Sequence, residues 1–453
     1  MKRVATIVGA CALALFVIGF GPPTRDLLHT ELKESTPARD TVITTALERV
    51  VLVFSGPVEP KLSSIRWVGP AGDTVSLDVS APPDQPHVLV ASAPPAMNGP
   101  QSLEWRTVSV DGHQVAGTIP FTADIPALAS EDATAASDSL EASTADSAAA
   151  GAGPSGPAGG SRPETQATVP STARLAVGGL GMFCLLGFAG LLWFGMGTTI
   201  LDEPRSHRLT SILGLGATVL LSLDAVLWLA QVRLPGVDLS ATLSAVLDTR
   251  SGLVVAMQVA LTVIAFLVFT GTHAVRFGAV LGMLAVVTGA LGGHQASITP
   301  LASLPANGLH LGAAAIWTGG ILLLGIWPSR TEPGVGAGWT FPRIALRVSS
   351  AALLASATIL VTGVVQDVLY LPSIGSMFSS TYGNLLLAKT GGFLALVGFG
   401  AYNRFRLIPA MSPDADSDAG STPLRRSVRL ELLVVVVVVL VAVALAQVPP
   451  PLE

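Results

Sequence analysis

ARLAVGGLGMFCLLGFAGLLWFGMGTTI, residues 173–200, decides the architecture. Its one charged residue, Arg174, stands second, and the apolar run behind it exceeds the ~20 residues a helix needs to cross a bilayer. Seven runs of the same kind come after it. The eight segments read as 173–200, 207–231, 252–271, 276–293, 307–328, 342–366, 383–402 and 428–447. The rear of the chain, 173–453, is therefore expected to be an all-α polytopic membrane bundle of about eight transmembrane helices embedded in lipid. Only 12% of the 453 residues are charged, against about 25% in an ordinary soluble domain, and the deficit falls after Thr172. The net charge of −5 is small. There is no basic patch with interleaved aromatics, so nucleic acid is not an expected partner.

Ahead of this run, residues 125–172 are Ala, Ser, Gly, Pro and acidic residues with few large apolar ones. Such a stretch cannot bury enough surface to offset its ordering entropy, and it reads as a disordered linker. Residues 29–124 read differently. RVVLVFSGPV, SIRWVGPAGDTVSLDVSA, HVLVASA and LEWRTVSV are short runs of Val, Ile, Trp and Thr separated by Gly-Pro, Gly-Asp, Pro-Pro and Asp-Gly turns. That pattern predicts a small β-sandwich or barrel. Residues 1–28 open with Lys2 and Arg3 before the apolar run Val4–Gly21, the pattern of a signal peptide or signal anchor. The β-domain behind that segment is expected to be exported.

An exported front and eight crossings place the β-domain and the C-terminus on the same, extracytoplasmic side. The charges fit that topology. Inner loops and helix ends carry eleven arginines (205, 208, 276, 330, 343, 347, 404, 406, 425, 426 and 429), whereas outer loops between helices carry Arg233 and Arg250. Of the two cysteines, Cys11 and Cys184, neither lies in the front domain, so a metal there must use His, carboxylate, Met or backbone.

Position decides which of the seven histidines matter. Asp111 and His113, in VSVDGHQVAG, share a face if the chain is extended. By spacing alone the simpler reading is a turn with an exposed histidine. His294 ends the fourth apolar segment and His310 opens the fifth, both toward the outer side, and two imidazoles at one face can share a metal ion. The competing reading is that each caps a helix. The pairs Gly289/Gly293 and Gly308/Gly312 read as close helix packing. Asp224 lies mid-segment in LLSLDAVLW, where a carboxylate is costly and functional by default. It can coordinate a cation, relay a proton, or pair with a basic residue such as Lys389. Met182 and Met257 read first as packing residues. His207 and His273 fall at inner loops and read as interfacial, with a release role at the inner face left open.

Resemblance to known families sharpens these readings. HTELKESTPA from His29, LVFSGPV from Leu52 and LEWRTVSVDGHQVAGTIPF from Leu103 resemble the CopC family of periplasmic copper-binding proteins. The resemblance implies a cupredoxin-like or Ig-like β-barrel that binds Cu(II) through His29, Asp111 and His113. Gly56 stands where some members place a carboxylate, and Met97 is the domain's one methionine. GGHQAS, LHLGAAAIWTGG, YGNLLLAKTGG with NRFRLIPAM, and LRRSVRLELL resemble the CopD family, in the fused arrangement of YcnJ-type proteins. This implies copper uptake or copper resistance in a bacterial plasma membrane. Its expected partners are copper ions, as Cu(I) or Cu(II) in the bundle, and periplasmic copper chaperones. His294 and His310 are the bundle's copper candidates, with Asp224 on the path.

Two alternatives stay open: a protein that holds or senses copper without moving it, and a membrane redox protein with haem between two histidines. No P-loop and no nucleophile–base arrangement stands out, so the chain is not expected to be an enzyme or its own ATPase.

Overall fold

The computed structural model describes residues 30–95, 97–110, 112, 114–126, 166–167, 172–234, 236–292, 300–327, 339–370, 375–411, 418–446 and 448. The expected signal segment lies outside the described residues, as do His29, Asp111, His113 and His294.

The front domain is a sandwich of two sheets. One holds β1 (Leu32–Thr36), β3 (Arg49–Phe54) and β6 (Val88–Ser92), in the order β1-β3-β6. The other runs β2 (Val42–Ile43), β8 (Gln114–Ala123), β7 (Gly99–Val108), β4 (Ser64–Val68) and β5 (Thr74–Leu77). Strand alternation turns Val50, Leu52 and Phe54 of β3 and Leu103 and Trp105 of β7 into one core. Phe54 and Trp105 meet edge to face at 5.3 Å, as do Trp67 and Phe121 at 5.1 Å. Trp105 lies opposite Gly117 in the β7–β8 register. A Cβ at Gly117 would come within 2.7 Å of the indole, so the tryptophan requires a glycine there. Within the expected linker, Gln166–Ala167 (β9) pairs with Val115 and Ala116 of β8.

Behind the β-domain come α1 (Thr172–Gly195), α2 (Pro204–Val232), α3 (Leu239–Leu247), α4 (Arg250–Thr272), α5 (Val275–Thr288), α6 (Pro300–Ile326), α7 (Phe341–Tyr370), α8 (Ser376–Ser379), α9 (Thr381–Tyr402) and α10 (Asp418–Leu445). Every expected apolar segment coincides with one of them. Among the described residues seven are long and apolar enough to span a membrane. The remaining segment, α5 with the 3-10 turn Gly289–Leu291, is shorter. The short helix α3 occupies the loop expected between the second and third spans.

Side-chain caps start these helices where the chain turns in. Glu203 accepts from the Ser206 amide ahead of α2, and Thr249 accepts from Gly252 ahead of α4. Bulky apolar side chains cover their outer faces, among them Ile212, Leu215, Val219 and Val226 of α2 and Leu346, Leu353, Leu360 and Val364 of α7. A surface of that kind is stable against lipid and not against water. At the centre α1 crosses α6 backbone to backbone. A Cβ at Gly190 would stand 2.0 Å from the Ala315 carbonyl oxygen, and one at Gly319 would stand 2.4 Å from the Gly190 backbone. The pair Gly308/Gly312 packs α6 on Val287 and Met283 of α5.

Candidate functional site

The β-domain sits on one end of the bundle. Leu62 and Val108 bury against Trp228 and Val232 of α2 and Val246 of α3. Trp228 donates its indole N–H to the Gly112 carbonyl at 3.2 Å, and Arg106 donates to the backbone carbonyl of Gln231. Lys61 pairs with Asp248 at 2.7 Å. Gly112, with φ +87°, lies against Ser251 at the start of α4, where a Cβ would meet the serine Cβ at 3.1 Å. Gly112 is the residue between Asp111 and His113, so the expected metal-binding turn is seated on the helix ends of α2 and α4.

Beneath that seat the bundle holds a partly open cavity of about 400 Å³. Its wall includes Asp224 and His310, two of the residues singled out in the sequence, together with Met182, Gln258, Gln366 and Lys389. Two helices lead from seat to cavity on one face each. On α2, Asp224 lies one turn in from Trp228, about 6 Å along the axis; on α4, Gln258 lies two turns in from Ser251, about 10 Å.

The geometry revises three expectations. His310 does not open its helix, because α6 begins at Pro300. Proline is tolerated in a first turn, where its missing N–H has no partner to lose, and the charge-free residues after it continue the helix. His310 therefore lies about 15 Å along α6, inside the bundle. There its Nδ1 meets the Thr362 hydroxyl of α7 at 2.9 Å, and its Cε1 is 3.9 Å from where a Gly363 Cβ would be. Asp224 pairs with Arg174 of α1, Nε to Oδ1 at 3.2 Å, and not with Lys389. Arg174 also donates to the Gln231 side chain at 3.1 Å. Gly178, one turn along α1, leaves room for the carboxylate. Lys389 has the Asp367 carboxylate as its charged neighbour instead. Met257, by contrast, is 42% exposed on the outer surface of α4, while Met182 faces the cavity.

Sequence reasoning missed Gln258 and Gln366. Gln258 is oriented by donating to the Ala285 carbonyl at 3.2 Å. Gln366 is 4% exposed, and its side-chain amide nitrogen has no hydrogen-bond partner among the described residues. Amides carry no charge to stand out in an apolar run. Arg174, the partner of Asp224, was missed as well, although it is the one charged residue of the first span. Thioether, imidazole, amide and carboxylate side chains all line this cavity, while no group of three or more His, Cys, Asp or Glu is close enough to hold a metal ion among the described residues.

Residues 32–124 match the CopC domain, and residues 342–445 match the family described as Copper resistance protein D. The chain carries a CopC domain followed by a CopD domain. With its apolar spans, it is a copper-related membrane protein. The Copper transport protein CutJ of Bacillus subtilis is 27% identical over 415 residues, covering 86% of this chain and 70% of that one. Protein YobA of Escherichia coli K12 is 29% identical over 96 residues, 21% of this chain and 77% of that one. The crystal structure of CopC from Methylosinus trichosporium OB3b is 32% identical; the match covers 22% of this chain and 96% of that one, with a TM-score of 0.21. That of PcoC, a methionine-rich copper resistance protein from Escherichia coli, is 29% identical, covering 21% and 99%, with a TM-score of 0.19. The CopD match starts with α7, so Gln366, Tyr382 and Lys389 come from inside it, whereas Asp224 and His310 come from helices ahead of it.

Proposed function

We propose that the chain captures copper at its CopC domain and moves it across the membrane through the bundle cavity. His29, Asp111 and His113 take Cu(II) outside, with periplasmic copper chaperones as a source. The ion passes from the seated turn to the cavity, where His310, Asp224 and Met182 receive it, and His294 serves the entrance. The β-domain and the C-terminus face the extracytoplasmic side of a bacterial plasma membrane. One observation carries the reading: the turn between Asp111 and His113 rests on the two helices whose next turns line a cavity holding a carboxylate and an imidazole. Donors shared across one short path suit transfer better than storage.

The test is cellular copper content at limiting and at excess copper, for the parent protein, His310→Ala and Asp224→Asn. Both variants replace a polar group with a less polar or uncharged one and should insert normally. Transport-dependent accumulation should be lost in each. Accumulation equal to the parent in both would sink the path, and a parent that binds copper but never changes cellular copper would make this a holding or sensing protein.

A further inference from the structure

Two histidines distant in sequence meet at the end of the bundle away from the β-domain. His207 lies in the first turn of α2 and His273 caps the end of α4, and their ring centroids are 6.0 Å apart at an interplanar angle of 43°. Trp228, which holds the β-domain, is 21 residues from His207 along α2. That is about 31 Å, the thickness of a bilayer's hydrocarbon core. The pair thus occupies the opposite face of the membrane from the capture turn.

His273 has φ +53° and ψ +22°, the left-handed conformation that closes a helix. Glycine takes that position without strain, whereas a histidine there is strained. A turn alone does not ask for an imidazole. The conformation swings the ring back toward α2, where His207 is held by stacking on Phe269 at 5.0 Å and 33°. His273 is exposed and lines a surface cleft with Gly197, Thr198, Thr199 and Arg276.

We propose that His207 and His273 together bind a monovalent copper ion at this face, as the last stop of the cargo, once an external thiol reductant has passed one electron to the captured Cu(II). Metal–nitrogen bonds of about 2 Å put two coordinating nitrogens about 4 Å apart, a separation that rings with centroids 6.0 Å apart can reach by rotation. Two imidazoles can hold Cu(I), which accepts two-coordination. Arg205, Arg208 and Arg276 flank the pair, with Asp202 and Glu203 as the nearby acids, and Glu203 is engaged with the Ser206 amide. The arginines weaken cation binding, as a site of departure requires. The role as last stop rests on the transport reading; the site itself does not.

The experiment counts Cu(I) bound by the full-length protein in detergent, anaerobically and with reductant, in competition with a chromogenic Cu(I) chelator, and repeats the count with Ag(I). His207→Phe keeps the stack on Phe269 without a ring nitrogen. His273→Gly relieves the left-handed turn. Both should keep the parent's melting curve, and each should lose the same single, weaker-binding equivalent, with the double variant losing no more. If both variants bind as many ions as the parent, with unchanged affinities, the site is refuted. Loss of the equivalent in a protein that moves no copper supports the site and removes the transport reading. Full binding by variants of a protein that does move copper removes the site alone.

Discussion

In the β-domain, polar side chains that go inside bond to one another. Trp67 donates to Gln101 at 2.5 Å, and the Ser63 and Thr107 hydroxyls meet at 2.6 Å. Of the stretch expected to bind metal, the described residue Gly112 lies at the domain's edge, against α2 and α4. In the bundle the arrangement is reversed: Asp224, Gln258, His310, Gln366 and Lys389 face a shared space, and the outer surface is apolar. A water-soluble domain can keep its chemistry at the rim, because water satisfies whatever is left over. In lipid, polar groups are tolerated only where they face each other or a cavity. Damage to the rim should therefore weaken capture, while damage to the cavity wall should stop passage.

The largest effects test the cavity. His310→Ala should abolish copper accumulation at any external copper concentration. Thr362→Val removes the hydroxyl that orients the His310 ring, and such outer partners are worth about 10–100-fold in affinity or activity. Uptake by Thr362→Val should fall within that range, measured as initial rate against copper concentration. An unchanged rate would mean the ring is not positioned for metal.

Next comes the rim. His113→Ala should reduce uptake at limiting copper and recover at excess copper, since it removes capture and not the path. Because imidazole and carboxylate must be deprotonated to bind, front-domain Cu(II) affinity should drop as pH falls through the histidine range. If excess copper fails to rescue His113→Ala, the rim is on the obligatory path and the contrast between the two regions fails.

A smaller effect concerns Arg174 and Asp224. Each side chain is about a quarter exposed, 22% and 25%, so losing one partner should cost less than the ~3–5 kcal/mol of a fully buried pair. In detergent melting curves the double variant Arg174→Gln/Asp224→Asn should be destabilised by less than the sum of the two single changes. Strict additivity would show that the pair is not coupled. The smallest effect is at the seat's edge. Lys61 and Asp248 are 64% and 56% exposed, so Lys61→Ala should leave stability and uptake all but unaltered, whereas Trp228→Ala should loosen the seat and lower uptake at limiting copper.

The two regions were also unequally legible. The spans stand out because a 20-residue apolar run has no competing explanation, and the strands because turn residues punctuate them. Asp224 was visible for the same reason, a charge where the pattern forbids one. Its partner was not, since Arg174 and Lys389 are equally basic and the choice depends on which helices touch. His310 was found but set too shallow, because Pro300 and Pro305 read as loop when one of them opens the helix and the other is absorbed in it. The seat was hidden: Arg106, Trp228 and Gly112 carry no local mark of meeting, as 116 residues separate the indole donor from its acceptor. Met182 and Met257 look alike in sequence and face opposite ways.

The crossing of α1 and α6 has a mechanical consequence. Where Gly190 and Gly319 touch, no side chain lies between the two backbones. Sliding α1 along its axis would bring the next side chains on the same face, Leu186 and Phe194, against α6. Tilting meets no such obstacle. The contact is a fulcrum, and α6 is a lever on it with His310 nine residues from Gly319 on one arm. A tilt of a few degrees at the glycines would shift the imidazole by about 1 Å across the bundle, at nearly unchanged depth.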